Sequence, residues 1–417
     1  MKPVSAKVIG AGLSGLSAAV TLAQAGIRTE LIDAAPQAGG RCRSYHDPQL
    51  GLTIDNGNHL VLSGNAATAR FRETIGATTP LAGPEHADFA FLDLGTGERW
   101  TVRINDGPVP WWIFSTARRV PGTAFADYLP LSRLLGHAEG RIGDRIATKG
   151  RVWEHLLEPV LLAALNTTPA DSSTALTGAV LRETIARGGR AMCPRIAEPN
   201  LAAAFIDPAI AWLAKQGSDV ALGRRLRALT FDGDRVVALD FGETSEPVAK
   251  DMAIILAVPA WAAAALIPDL TVPDDHRTIV SGHFAMPAPA GAPAMLGLIN
   301  GTAEWLFSFP DRLSVTVSAA DHLVDTDRET LARIFWADIC AALGLEEPMP
   351  KWQIVKEKRA TFAATPAQNS RRPPSRTRWS NLFLAGDWTA TGLPATIEGA
   401  IRSGETAAGL AIHSLSR

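Results

Sequence analysis

The hydrophobic pattern at the start of the chain alternates between strand, turn and helix. Residues 6–9 are mostly apolar, residues 10–15 are rich in glycine, and residues 16–25 are small and apolar at helical spacing. Gly26 is placed to end this helix, and residues 27–32 form a second mostly apolar run. The pattern predicts a β-α-β unit over residues 6–32.

Beyond this unit the pattern changes several times, and residues 66–200 favour helices separated by proline and glycine loops. Helical periodicity predicts helices at residues 156–165, 174–185 and 208–215 and from about residue 397. Apolar or alternating runs predict strands at residues 220–222, 227–231, 235–241, 252–258 and 381–385. Asp232-Gly233 is a strong hairpin signal, and the continuously apolar 252–258 run is typical of a strand covered on both faces.

At 417 residues the chain is longer than a single hydrophobic core usually supports, which predicts two domains. We predict an α/β protein in which a Rossmann-like nucleotide-binding domain is interleaved with a mixed α+β substrate-binding domain. The first domain is expected at residues 1–65, 201–260 and 351–417, and the second at residues 66–200 and 261–350.

Composition excludes several classes of protein. The net charge of -2 argues against a nucleic-acid binder, which needs a basic surplus to meet phosphates. Cys42, Cys193 and Cys340 form no CxxC pair, so we expect a reducing compartment and no metal site. No secretory signal and no apolar run of about 18 residues occurs, which favours a cytoplasmic location.

Residues 10–15 carry the spacing G-x-G-x-x-G between a predicted strand and a predicted helix. In this setting Gly10 permits the tight turn, Gly12 lets the backbone approach a pyrophosphate, and Gly15 allows close helix packing. Leu13 and Ser14 would bring the N-terminus of the helix to the anion. The alternative is a purely structural turn.

Asp33 ends the second predicted strand, 18 positions after Gly15. An acid near this spacing accepts hydrogen bonds from ribose hydroxyls. The alternative is an ordinary aspartate at the end of a strand.

A second glycine segment follows at once, with Gly39, Gly40 and Arg41 at its centre. It resembles the G-G-R segment of the amine oxidase and phytoene desaturase superfamily of flavoproteins. The resemblance implies that the glycines pass close to the pyrophosphate of FAD. Arg41 would supply a fixed cation for the diphosphate.

Two C-terminal segments resemble the same superfamily. Residues 382–387 end in Gly386-Asp387, and the resemblance implies that this aspartate contacts the ribityl or pyrophosphate region. Thr396 and Ile397 match the start of the superfamily's last helix, whose N-terminus lies beside the flavin. Together the segments imply an amine-oxidase-type fold with FAD, bound non-covalently because no cysteine lies near the last motif.

Residues 55–60, 162–167 and 385–400 resemble one bacterial branch of the superfamily, the hydroxysqualene dehydroxylase family of hopanoid biosynthesis. We therefore add Gly57, Asn58 and Leu226 to the candidate cofactor contacts. Asn58 stands where the branch is expected to carry glutamine, so an amide is retained.

This resemblance implies reductive removal of the allylic hydroxyl of hydroxysqualene, a C30 isoprenoid, to give squalene. Reduced flavin would deliver hydride from N5 to the allylic carbon as water departs. The sequence identifies neither the donor that re-reduces the flavin nor the oligomeric state. Two other enzymes are alternatives, namely a carotenoid-type desaturase and, less favoured, an amine oxidase. A flavin-free scaffold that carries lipids, without catalysis, is an alternative of another class.

The resemblance places His59 beside the isoalloxazine ring, which makes it the first catalytic candidate, with Asp55 the second. Both residues also have a structural interpretation. His59 could be a loop histidine that is hydrogen-bonded to the backbone, and Asp55 could be an aspartate that forms a turn. Asn166 could be the C-cap of a helix, and Glu398 fits an ordinary helix start.

Residues 109–119 combine tryptophans with adjacent arginines. Such a composition suits contact with a membrane surface, here the inner face of the cell membrane. The alternative, equally favoured, is a segment that faces the core.

Overall fold

The computed structural model of the protein describes residues 4–136 and 138–416. Strands β1 to β20 are Ser5–Ile9, Arg28–Ile32, Ser44–Asp47, Leu52–Asp55, Leu60–Leu62, Leu81–Ala82, Asp88–Asp93, Arg99–Arg103, Pro194–Ala197, Asp219–Ala221, Ala228–Asp232, Arg235–Asp240, Ser245–Pro247, Met252–Leu256, His276–Phe284, Met295–Ile299, Trp305–Ser308, Leu313–Val317, Trp352–Phe362 and Leu382–Leu384. Helices α1 to α9 are Leu13–Gln24, Ala66–Thr74, Glu158–Leu165, Thr174–Glu183, Asp207–Lys215, Ala260–Leu266, Arg328–Leu343, Pro366–Asn369 and Ile397–Leu415. In the part of the chain described here, no helix has the length and apolar character needed to cross a bilayer.

A five-stranded parallel sheet has the order β10-β2-β1-β14-β20. Its inner strands are apolar, and Val8, Ile254 and Ile255 are fully buried because helices cover the sheet. This arrangement confirms the predicted Rossmann-like fold. All five strands end at the same edge of the sheet, where ligands of such sheets bind.

The elements predicted for this sheet and for the separate β11-β12-β13 sheet are confirmed, with boundaries shifted by one to three residues. The 252–258 run supplies β14, the Asp232-Gly233 signal joins β11 to β12, and the final strand and helix are β20 and α9. Helix α1 begins at Leu13, three residues earlier than predicted. Gly12, which has extended backbone angles, is its N-cap, so the glycine turn is shorter than its sequence suggests.

The first and last helices are in direct contact. A Cβ atom on Gly404 of α9 would lie 2.2 Å from the Ser14 carbonyl oxygen of α1. Beside this contact the Ser17 hydroxyl donates to the Ile401 carbonyl oxygen at 2.9 Å. Helix α9 therefore lies against α1, although almost the whole chain separates them in sequence.

The second large sheet has the order β19-β15-β18-β17-β16-β7-β8 and is antiparallel except where β16 pairs with β7. Helix α7 packs on it through the fully buried Phe335 and Ile339. The prediction that residues 66–200 are essentially helical is wrong at β7 and β8. The apolar positions of β7 and β8 alternate on either side of a glycine-containing turn, and this pattern is a hairpin signal that could have predicted them.

The domain division remains a prediction. The parallel sheet draws its strands from residues 1–65, 201–260 and 351–417, but β19 pairs with β15 in the other sheet. We propose that the last boundary lies after Phe362 rather than at residue 350.

Replacing Gly404 by alanine should lower the free energy of unfolding by about 1–3 kcal/mol, because the new methyl group overlaps α1. Gly409→Ala is the matched control, since a Cβ atom there has nothing within 4 Å. Gly409→Ala should raise the free energy of unfolding by about 0.5–1 kcal/mol, because glycine is unfavourable inside a helix. Urea unfolding followed by circular dichroism measures both, and equal effects would contradict the close contact.

Candidate functional site

The candidate cofactor site lies at the carboxyl edge of the parallel sheet. Strand β1 runs into the glycine turn at residues 10–12, and β2 ends at Ile32 just before Asp33. Strand β20 leads into Gly386 and Asp387. The fold thus brings three of the predicted segments to one edge.

The first glycine turn is shaped to leave space in front of α1. A Cβ atom on Gly10, whose φ is +114°, would lie 2.3 Å from the Ala257 carbonyl oxygen, and one on Gly15 would overlap the Gly10 carbonyl oxygen. A Cβ atom on Gly12 would meet nothing within 4 Å, and no side chain caps the helix there. The first turn of α1, which contains Leu13 and Ser14, therefore faces open space. Uncapped N–H groups at a helix N-terminus fit a diphosphate.

The second glycine segment lies directly beside the first. The Gly39 N–H donates to the Ala11 carbonyl oxygen at 2.8 Å, and Gly39 pairs with Gly12 in a short parallel bridge. A Cβ atom on Gly40 would come within 3.3 Å of the Gly12 Cα. The two glycine segments therefore form one wall of the candidate site.

Asp33 is held by backbone groups on both sides. Its Oδ2 accepts from the Ala11 N–H at 2.6 Å, and its Oδ1 from the Ala35 N–H at 2.7 Å. Each carboxylate oxygen has a second acceptor site, so the carboxylate can still bind a ribose hydroxyl. The Arg224 N–H donates to the Asp33 carbonyl oxygen at 2.8 Å, which places the buried Leu226 close to this end of β2.

Arg41 and Asp387 form an ion pair that joins the N-terminal and C-terminal segments. One guanidinium nitrogen lies 2.6 Å from the Asp387 Oδ1, and another donates to the Ala360 carbonyl oxygen at 2.5 Å. Burial alone would lower the pKa of Arg41, but the adjacent carboxylate raises it. The resemblance implies Arg41 as a fixed cation for the diphosphate, and in the structure Asp387 balances its charge.

The start of α9 is capped from within. The Thr396 hydroxyl oxygen accepts from the Gly399 N–H at 3.0 Å, so that donor is already bonded, and Ile397 is the first helical residue. The buried Glu398 carboxylate accepts from the backbone N–H groups of Ala67 and Thr68, at 3.0 and 2.9 Å. Glu398 thus caps α2, which extends its predicted structural role.

The loop that carries the catalytic candidates packs on the second sheet. Gly57 lies near the Ser281 hydroxyl, and the Asn58 amide nitrogen donates to the Thr316 Oγ1 at 2.9 Å. The buried Asn58 Oδ1 has no hydrogen-bond donor among the described residues. An open acceptor of this kind fits contact with a ligand.

Asp55 is enclosed by structural contacts. Its Oδ1 accepts from the Ser44 hydroxyl at 2.5 Å and from the Leu201 N–H at 2.9 Å, while Oδ2 lies 3.9 Å from Arg312. Burial raises the pKa of Asp55 against the opposing effect of these bonds. The geometry favours the structural interpretation of this residue over the catalytic one.

His59 lies beside Cys42, with its Nε2 3.9 Å from the Cys42 Sγ. Burial lowers the pKa of His59 to about 4, and the Arg41 cation acts in the same direction. The imidazole is therefore neutral at pH 7, which disfavours His59 as a source of a proton.

Asn166 has the left-handed backbone of a helix C-cap, with φ of +47° at the end of α3. Its amide nitrogen donates to the Thr361 Oγ1 at 2.9 Å, and its Oδ1 accepts from the Ala319 N–H at 2.6 Å. The C-cap interpretation is confirmed, and the side chain also holds three segments together.

A cleft opens next to the Arg41–Asp387 pair. Its lining residues are Arg41, Pro259, Ala260, Trp261, His276, Arg359, Thr361, Phe362, Asp387 and Trp388. Trp261 packs edge-on against His276, with ring centroids 5.2 Å apart, and Arg359 lies over the Trp261 ring at 4.8 Å. Sequence reasoning missed these three residues, because they come from separate elements and belong to no motif.

A larger groove lies elsewhere and contains none of the flavin-motif residues. It has a volume of about 640 Å³ and is lined by Thr78, Thr79, Pro80, Glu198, Pro199, Pro310 and Asp311. We therefore place the chemistry at the smaller cleft beside Asp387.

Gly12→Ala should reduce the FAD content of the purified protein at least about tenfold, because the methyl group occupies the space that the diphosphate needs. The fold should persist, since nothing in the protein lies within 4 Å of the added atom. Flavin absorbance per protein measures the loss, and circular dichroism checks the fold. Gly409→Ala is the control and should keep its flavin. A Gly12→Ala variant with full flavin content would contradict the assignment of this turn to the cofactor site.

Comparisons with known proteins agree with this geometry. A family model described as flavin containing amine oxidoreductase matches residues 13–412. Hydroxysqualene dehydroxylases from Rhodopseudomonas palustris, Zymomonas mobilis and Sinorhizobium fredii are 52%, 47% and 48% identical, over 97–98% of this chain and 97–99% of theirs.

Solved structures share the fold at low identity. Cyclohexylamine oxidase from Brevibacterium oxydans has a TM-score of 0.73 at 16% identity and covers 100% of both chains. An oxidoreductase from Methanosarcina mazei has a TM-score of 0.71 at 16% identity, covering 96% of this chain and 98% of its own. The chain therefore belongs to the flavin containing amine oxidoreductase family, as an FAD-dependent oxidoreductase whose relatives include the hydroxysqualene dehydroxylases.

Proposed function

We propose that this protein removes the allylic hydroxyl group of hydroxysqualene and releases squalene. The observation that carries the proposal is the high identity to three hydroxysqualene dehydroxylases over nearly the full length of both chains. The cleft beside Asp387 is small, about 20 Å³, and its walls include the aromatic residues Trp261, Phe362 and Trp388, which suit an apolar reacting group.

The proposed reaction breaks one C–O bond and forms one C–H bond. The hydroxyl group leaves as water after gaining a proton, and the carbon gains a hydride; the hydride and the proton balance against the two hydrogens that fully reduced FAD carries. FAD, when bound in its reduced form, supplies that hydride, and a separate two-electron donor must restore it. The residues that would hold FAD are the glycine segments, Asp33, Asp387 and the start of α9.

The protein must favour departure of the hydroxyl group and keep bulk water out. The aromatic walls can exclude water and stabilise an electron-poor allylic carbon. His276 is the imidazole on the cleft wall, and burial together with the Arg359 and Arg41 cations lowers its pKa. We propose that neutral His276 donates a hydrogen bond to the departing hydroxyl group, because its imidazole lines the cleft. Asp55 is enclosed by Ser44 and Leu201, and His59 is not among the described residues that line the cleft.

Carotenoid-type desaturation is the alternative, because the flavin segments are common to both enzyme groups. It runs hydride chemistry in the opposite direction and needs oxidised flavin.

Anaerobic incubation of the dithionite-reduced holoenzyme with hydroxysqualene should yield about one squalene per flavin, because each reduced flavin carries one hydride. Mass spectrometry of the extracted hydrocarbons measures the product. The oxidised holoenzyme and the flavin-depleted Gly12→Ala variant are controls and should give none. The proposal is overturned if reduced holoenzyme yields no squalene, or if oxidised holoenzyme desaturates phytoene while hydroxysqualene stays unchanged.

His276→Ala should lower kcat about 10²-fold, the usual effect of losing one hydrogen bond to a charge that develops in the transition state. His276→Gln should recover part of the rate, since its amide still donates an N–H. His413→Gln, on an exposed part of α9, is the control. A His276→Ala enzyme with normal kcat and full flavin would remove His276 from the mechanism.

A further inference from the structure

Exposed apolar side chains concentrate in one short part of the chain. Six of the nine large hydrophobic side chains that are exposed among the described residues lie between positions 109 and 135. We call this set the aromatic patch, and its members are Val109, Trp111, Phe114, Phe125, Leu129 and Leu135. Trp111, Phe114 and Leu129 are 66%, 56% and 55% exposed, so these side chains face solvent. Concentrated exposed apolar surface marks a site of interaction.

The rings of the patch contact one another across two short 3₁₀ segments, Trp111–Phe114 and Phe125–Leu134. Phe114 lies 6.1 Å from Trp111 and 5.3 Å from Phe125, between ring centroids. The three rings therefore form one continuous surface.

The layer beneath keeps this surface facing outward. Trp112 is buried edge-on against Tyr128, with ring centroids 5.2 Å apart. The Trp112 N–H donates to the Asn105 Oδ1 at 3.1 Å, and the Val120 N–H donates to the Tyr128 hydroxyl oxygen at 3.0 Å. Because Trp112 already fills the interior, Trp111 cannot turn inward without displacing it.

The patch carries a local positive charge. Residues 107–135 contain three arginines and one aspartate, whereas the whole chain has a net charge of -2. Arg118 and Arg133 are exposed, and no ion pair joins either to an acidic side chain in the described ranges. The one aspartate, Asp127, is hydrogen-bonded to nearby backbone, since its carboxylate accepts from the Ala124 N–H at 2.8 Å.

We propose that the aromatic patch docks the protein on an anionic lipid bilayer. Tryptophan and phenylalanine bury into the boundary between headgroups and acyl chains, and unpaired arginines meet lipid phosphates. A second copy of this chain is a poorer occupant. A twofold interface would place the same arginine-bearing surfaces against each other.

The docking would bring the protein to the bilayer, in which an apolar substrate dissolves. Trp112 beneath the patch and Trp388 at the cleft belong to one continuous apolar cluster. This consequence rests on the proposed function, whereas the docking itself rests on the patch alone and is tested without substrate.

The test is sedimentation of the flavin-loaded protein with lipid vesicles. Vesicles of phosphatidylcholine with about 30 mol % phosphatidylglycerol should bind the protein, and pure phosphatidylcholine should bind it more weakly. The double variant Trp111→Ser and Phe114→Ser should lower the partition coefficient at least about tenfold. Neutralising Arg118 and Arg133 to glutamine should lower it about fivefold for each arginine.

Matched controls separate the patch from general effects. Leu222→Ser removes an exposed leucine outside the patch, and Arg333→Gln removes an exposed arginine on α7; neither should change binding. The proposal is overturned if the folded protein binds neither vesicle, or if the serine double variant binds as the unmodified protein does. Analytical ultracentrifugation decides the remaining case, since a dimer that the serine variant dissociates, without vesicle binding, would make the patch an interface between copies.

Discussion

The direct contact between α1 and α9 is the constraint on which the cofactor site depends. Gly404 leaves room for the Ser14 carbonyl oxygen, so the last helix lies against the first. The same C-terminal part of the chain carries Asp387, which pairs with Arg41 although 346 positions separate them in the chain. A side chain at Gly404 would push the two halves of the site apart, because packed helices have no spare volume at such a contact.

The electrostatics of the site follow from this packing. Asp387 offsets the charge of Arg41. The main effect of the ion pair is therefore to join the N-terminal and C-terminal segments. The uncapped N-terminus of α1, with open space in front of Gly12, fits the binding of a diphosphate. At the other end of the chain, Thr396 and Glu398 use their oxygens to fix α9 and α2.

Some polar side chains line the cleft and can act on a ligand, whereas others are enclosed by the protein and stabilise the fold. Asp55 is enclosed by Ser44 and Leu201, and His59 is neutral beside Cys42. His276, in contrast, lies on the cleft wall against Trp261. The aromatic segment divides in the same way, because Trp112 is buried and Trp111 is exposed, so the core and surface interpretations each hold for one residue.

By itself, the sequence determined the nucleotide-binding fold, the flavin segments and the enzyme group. The fold follows from local patterns, namely glycines at fixed spacing after a strand and a continuous apolar run at β14. The flavin segments and the enzyme group follow from their resemblance to known flavoproteins. Tertiary structure decided which side chains meet. The charge balance of Arg41 by Asp387 and the position of His276 and Trp261 at the cleft arise from contacts between segments that are distant in sequence. No local pattern encodes such contacts, because they depend on how the sheets and helices pack and not on the spacing of residues along the chain.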